Sequence, residues 1–408
     1  MQSRLFYSPG RARSLAWPVF VVGALGTAVV AVAGEDERFW SVLLANLLFW
    51  SGISMSGVVF SAVIEMTNAS WGRPFKRIAE AGASFLPISF VLFVVVILFG
   101  AGTLGWNAGE IKRIWLTMPF LAVRDIFCLI VLYSVSLYYV YVSLRPDLGK
   151  LNEDGKSPGP AAKKYLLSGW EGTEQEVMRK QRSVKVFAPL VIILYCFVAS
   201  LIAGDFIMAL DPEWYSTLFG GYFFMGNLYL GLAFVTVAAL RLSDSMSLTE
   251  IKSRHFHDLG KLMLGFCLVS ADFFWLQFLV IWFGNLPEET GFVIKRIKED
   301  PWSVLGWTVL IVCYMVPAIL LFSRRLKVNR VGMTVLSSVI LIGMWIEKFM
   351  LVVPSIYTGE TIPLGFPELL ITAAFAGAFI LCFTGFLRVF PVFPLTDPLF
   401  IEETLKNH

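Results

Sequence analysis

Ten apolar runs set the pattern of the chain: 15–33, 39–64, 81–100, 114–144, 187–210, 217–243, 260–284, 303–322, 331–353 and 364–390. Each is long enough to cross a hydrocarbon core roughly 30 Å thick. They predict an all-α integral membrane protein of ten transmembrane helices. The polar stretches between them alternate in charge. The N-terminus, the loops 65–80, 145–186, 244–259 and 323–330 and the C-terminal tail, with the span ends beside them, hold most of the 33 Lys and Arg. The positive-inside rule therefore places both termini in the cytoplasm. Opposite loops are short and often acidic, as at Glu35-Asp36-Glu37 and Asp211-Pro212-Glu213, and 285–302 is the longest of them. Arg4, Arg11 and Arg13, the run after them and the small residues Ala31-Val32-Ala33 imitate a cleavable signal peptide. We read that segment as span one.

Composition changes the picture only by excluding classes. With 57% hydrophobic and 15% charged residues, the chain is far from the roughly 25% charge of a soluble domain. A net charge of +3 is too small to point to nucleic acid. The segment 145–186 is the one sizeable hydrophilic stretch and reads as a cytoplasmic linker, with a turn from Gly155 to Pro160. Lys163, Lys164, Arg179, Lys180 and Arg182 either flank a short surface helix touching lipid head groups or a neighbour, or belong to a solvated connector. Cys128, Cys196, Cys267, Cys313 and Cys382 fall singly within apolar runs, and His255, His257 and His408 lie outside them. Neither pattern offers ligands for a haem, an iron-sulfur cluster or zinc, so no cofactor is expected to be ligated by this chain.

Sliding the chain on itself by 181 residues pairs Asn46 with Asn227, Arg73 with Arg254 and Phe75 with Phe256. An offset of 142 pairs Asp205 with Glu347, Met208 with Met350 and Pro212 with Pro354. These matches predict a parallel repeat: a first four-helix bundle over 39–210 (spans two to five), a second over 217–353 (spans six to nine), and spans one and ten at the periphery.

Ionisable groups inside apolar runs are the candidate functional residues, because each is costly in lipid and needs a partner, water or a bundle interior. Counted from the expected outer span ends at about 1.5 Å per residue, Asp205, Glu347 and Lys348 lie roughly 8 Å deep, Arg124 and Asp125 roughly 15 Å, and Asp272 roughly 18 Å. Arg124 and Lys348 read either as snorkelling cations or as partners of acids on neighbouring helices. Glu65 and Asp244 close the cytoplasmic ends of spans two and six, where a wet interfacial carboxylate is the plain reading. Asp272, at the midplane, is expected to face the interior of the second bundle.

Span seven and the loop after it read SADFFWLQFLVIWFGNLPEET, an aromatic-rich helix with Gln277, then Trp282-Phe283-Gly284-Asn285, then Pro287-Glu288-Glu289. This resembles the F subunit of bacterial alternative complex III, within the wider polysulfide-reductase/NrfD-like membrane family, and the ten spans agree along essentially the whole chain. The resemblance implies an inner-membrane subunit of a quinol-oxidising complex. Its partners would be an NrfD-like sister subunit and iron-sulfur and multi-haem c subunits that carry the haem and clusters, with lipid around it and quinone as a candidate ligand. It also implies proton half-channels built from bundle carboxylates: here Asp125, Asp205, Asp272 and Glu347, with Arg124, Lys348, Glu65 and Asp244 beside them. The chain lacks a membrane-embedded His of the kind expected at a quinol site, which places quinol chemistry on the sister subunit. Two rivals remain. One is a quinol-binding subunit with its own site in the first bundle at Arg124 or Asp125. The other is a secondary transporter coupled through Asp272, which would show broken helices at matching positions of both halves.

Overall fold

A computed structural model describes residues 5–8, 10–106, 115–155, 166–211, 213–246, 248 and 250–405, apart from the side chains of Arg11 and Glu288. Of the features read above, Arg4, most of the Gly and Pro cluster after Gly155, Lys163, Lys164, Pro212 and His408 lie outside these residues. The described residues are helical or irregular with no strand, and ten helices are long and apolar enough to cross a membrane.

They are α1 (Gly10–Val32), α2 (Asp36–Met66), α3 (Arg73–Phe99), α4 (Met118–Glu153), α5 (Thr173–Phe206), α6 (Phe219–Met246), α7 (Ser253–Gly284), α8 (Ser303–Phe322), α9 (Arg330–Ile356) and α10 (Phe366–Val389). α2 is the hub. It is buried almost throughout and packs on α5, α6, α9 and α10. Small residues let it approach closely, as membrane helices with no apolar driving force between them require. A side chain on Gly57 would collide with the Ala79 carbonyl, and one on Gly231 with Ser56. α1 lies against α10, and the N-terminal segment meets the end of α10 through Tyr7 N to Leu387 O (3.0 Å) and Val392 N to Leu5 O (2.9 Å). The two ends of the chain therefore share one side of the bundle, the side of the basic loops.

Several expected boundaries move. α4 starts at Met118 rather than 114, its first turn opened by Pro119, and continues to Glu153. α5 starts at Thr173 rather than 187. The 145–186 linker is thus largely two helices projecting past the apolar zone, clamped where Arg145 donates from Nε to Glu176 at 2.9 Å. Hydropathy stops at the lipid boundary, whereas helical hydrogen bonding does not. For the same reason α3 begins eight residues earlier than the apolar run, and the loop 285–302 holds a helix, Pro287–Ile297, opened by Pro287 at its first turn.

Candidate functional site

Among the described residues, three clusters of buried charge stand out. On the basic side, Arg73, Lys76, Arg77 and Glu80 of α3 are all buried, because α3 enters the bundle four turns below its lipid-facing part. Glu65 receives Arg73 at 2.7 Å, Lys180 at 3.2 Å and Lys76. Asp397, from the segment after α10, receives Arg73 at 2.7 Å and Lys180 at 3.4 Å. Burial raises the Asp397 carboxyl, but Lys180, Lys76 and Arg73 lower it by more, so it sits below its ordinary range. One layer deeper, Arg77 bridges Glu80 and Asp147 and donates to the Ser143 carbonyl at 2.7 Å, while Ser61 and Ser143 donate to Glu80 at 2.7 and 2.8 Å. Thr396 closes the layer by donating its N–H and hydroxyl to Asp147 at 2.8 and 2.6 Å. Glu65 is therefore not a wet carboxylate. Asp244 is one, exposed and paired with exposed Arg330 at 2.6 Å.

On the opposite side, the first cluster sets two carboxylates on one guanidinium. Arg124 donates to Asp205 at 2.6 Å and to Asp125 at 2.9 Å, and its guanidinium lies 4.0 Å from the centre of the Trp115 ring. Trp115 donates to the Asp205 side chain at 2.9 Å and Trp106 to its carbonyl at 2.8 Å. Asp125 Oδ2 is buried without a protein partner. Adjacent residues on a helix point about 100° apart, yet the long Arg124 side chain folds back to reach Asp125.

The second cluster centres on Glu347 of α9, which accepts from Tyr222 of α6 and, at 3.0 Å, from Tyr314 of α8. Lys348 is fully buried, its Nζ 3.1 Å from Glu347 Oε2 but not aligned for a hydrogen bond, and 4.6 Å from the centre of the Phe223 ring. Two prolines shape this region. Pro317 has no N–H for the Cys313 carbonyl, and α8 widens there into a π turn, Leu310–Met315. Tyr229 supplies the missing donor at 3.0 Å. Pro354 likewise has no N–H for Met350, and Arg296 donates to that carbonyl at 2.8 Å, then to Leu351 O at 3.1 Å and Ser355 Oγ at 2.7 Å. Between α6, α7, α8, α9 and the Pro287–Ile297 helix is a cavity of about 700 Å³. Aromatic and aliphatic side chains line it, with Gln277, Asn285, Arg296 and Glu347 among the few polar ones.

Sequence reasoning named Arg124, Asp125, Asp205, Glu347 and Lys348, and the structure gathers them into these two clusters. Counted along their own helices, Asp205 lies one residue before the end of α5 and Glu347 nine before the end of α9. Arg124 and Asp125 lie roughly 10 Å along α4 from its start. Asp272 departs furthest. Its side chain is exposed on the outside of α7 and does not face the bundle interior. The sequence reading missed Arg77, Glu80, Asp147 and Asp397, which lie in or beside expected loops, and the bundle tyrosines, which carry no charge to flag them. Among the described residues, no group of three or more His, Cys, Asp or Glu is placed to hold a metal ion.

The ten-span helical bundle with buried acid clusters has the form of an integral membrane protein. The chain matches the family described as polysulphide reductase, NrfD, over residues 32–360, and it belongs to that family. Proteins of this family partner with iron-sulfur subunits in redox complexes. No curated protein matches the chain.

Proposed function

We propose that this chain is an inner-membrane subunit of a respiratory quinol:electron-acceptor oxidoreductase of the alternative complex III type, with its basic side and both termini in the cytoplasm, and that it conducts protons. Its sister subunit would carry the quinol chemistry, and iron-sulfur and multi-haem c subunits the electrons. Family membership and the aromatic helix with its Trp282-Phe283-Gly284-Asn285 end support the assignment. The observation that carries the proton role is the Arg124 cluster: two buried carboxylates share one guanidinium, and one oxygen of Asp125 is left without a partner. One acid in excess of base, buried, is a site for one exchangeable proton. Glu347 with its two tyrosine hydroxyls would hold the corresponding place in the second bundle, 39–210 and 217–353 being the two halves of the repeat, but Lys348 balances it and no acid is in excess there. Each acid of the pair Asp205 and Glu347 meets a side chain from span four or span eight, which supports that pairing.

The test is the assembled complex in sealed vesicles. Asp125→Asn and Asp205→Asn should lower the protons moved per electron while electron transfer continues. An unchanged ratio in fully assembled variants overturns the proton role.

A second reading, a quinol-binding subunit, is favoured by the cavity beside Glu347. The room lies in the second bundle rather than the first, where the quinol reading had placed its site. Labelling of Phe274 or Phe278 by a photoreactive quinone would support that reading. The transporter reading loses its support. Pro317 breaks α8 in its interior while Pro119 only opens α4, so the interruptions do not match between halves.

A further inference from the structure

The apolar part of α7 runs over 262–284, and Asp272 stands near its centre, about 15 Å or more from either end. Its side chain is exposed and has no hydrogen-bond or ion-pair partner among the described residues. A carboxylate there cannot reach an interface, because Asp extends only one methylene. Left against lipid a charged carboxylate is strongly unfavourable. Gly265, Leu268, Val269, Trp275, Leu276 and Phe283 are exposed along the same helix at spacings of three and four. They form one stripe through Asp272. Nothing lies within 4 Å of a side-chain carbon built on Gly265, two turns from Asp272, so another helix has room to approach closely there.

We propose that this face of α7 is a subunit interface, covered by a transmembrane helix of a different subunit that sets a cationic side chain against Asp272. The occupant follows from charge. A second copy of this chain packed about a two-fold axis would bring Asp272 against Asp272, whereas a basic group completes the pair. Proton conduction through the Arg124 cluster is not needed for this inference, which rests only on the depth and exposure of Asp272.

The test uses the native complex, purified in mild detergent through a tag on this chain. Asp272→Leu and Asp272→Asn should each lower recovery of one membrane partner at least tenfold, while Asp272→Glu retains it and the yield and melting midpoint of the tagged chain stay unchanged. A photoreactive amino acid at Leu268 or Leu276, with Asp272 intact, should form an adduct with that same partner. Undiminished partner recovery with Asp272→Leu overturns the proposal, as do adducts with lipid alone or with a second copy of this chain.

Discussion

Glu347 and Lys348 offer the sharpest test of how the bundle interior tolerates charge. Their charged atoms stand 3.1 Å apart, which at an effective dielectric constant of about 20 corresponds to an attraction of roughly 5 kcal/mol before desolvation. Glu347→Gln keeps the shape and the contacts with Tyr222 and Tyr314 but leaves the Lys348 ammonium buried with only the Phe223 ring beside it. A buried charge stripped of its partner costs about 3–5 kcal/mol. Lys348→Met is milder, about 1–2 kcal/mol, since Glu347 keeps its two hydroxyl donors. The double variant removes both charges and should return to within about 1 kcal/mol of the parent, a coupling of roughly 3–7 kcal/mol from the single costs above. Unfolding in mixed micelles by titration with a denaturing detergent reads all four proteins on one scale. Additive effects, or Glu347→Gln no worse than Lys348→Met, would refute the pairing.

Other expectations follow from single contacts. Tyr229→Phe leaves the Cys313 carbonyl, already without the donor that Pro317 lacks, with only the weak Cys267 thiol at 3.8 Å, and should cost about 1 kcal/mol in the same assay. Arg296→Met strands the Met350 carbonyl, which Pro354 leaves without a helical donor, and loses the contacts with Leu351 O and Ser355 Oγ, so it should cost more than Tyr229→Phe, with the loss seen as earlier proteolysis within 285–302. Asp397 titrates below the ordinary carboxylate range, so its stabilisation is complete above about pH 4 and disappears as pH falls through the folded value. Asp397→Asn should therefore lower the melting midpoint at pH 7 and flatten its decline on acidification.

Span number and the acids with charge inside apolar runs were legible because lipid makes both conspicuous. What the sequence concealed came from two sources. Helices such as α4 and α5 extend beyond the lipid, where hydropathy has no reason to mark them, and the cluster they share with α3 and Asp397 sat in segments read as loops. Asp272 illustrates the other source. Depth follows from counting residues, but the face of a helix that meets neighbours depends on packing, and α7 is apolar on every side around that position. Gln277, one turn and a half further on, is buried and hydrogen-bonded to Ser216 at 3.1 Å, so polarity alone did not distinguish the inner face from the outer.

The balance of charge separates the buried clusters by what each can do. On the basic side Glu65, Glu80, Asp147 and Asp397 meet Arg73, Lys76, Arg77 and Lys180, four acids against four bases, in contacts that tie α2, α3, α4, α5 and the C-terminal segment together. Every carboxylate there has a cation within reach, so binding a proton would break an ion pair and leave four buried bases against three charged acids. Such a network serves as a brace. The Arg124 cluster has the opposite property: a proton arriving at Asp125 leaves the Arg124 to Asp205 contact in place and meets an oxygen that has no other partner. Charge can change there without dismantling the fold, and that asymmetry is why the proton role is assigned to the side away from the basic loops.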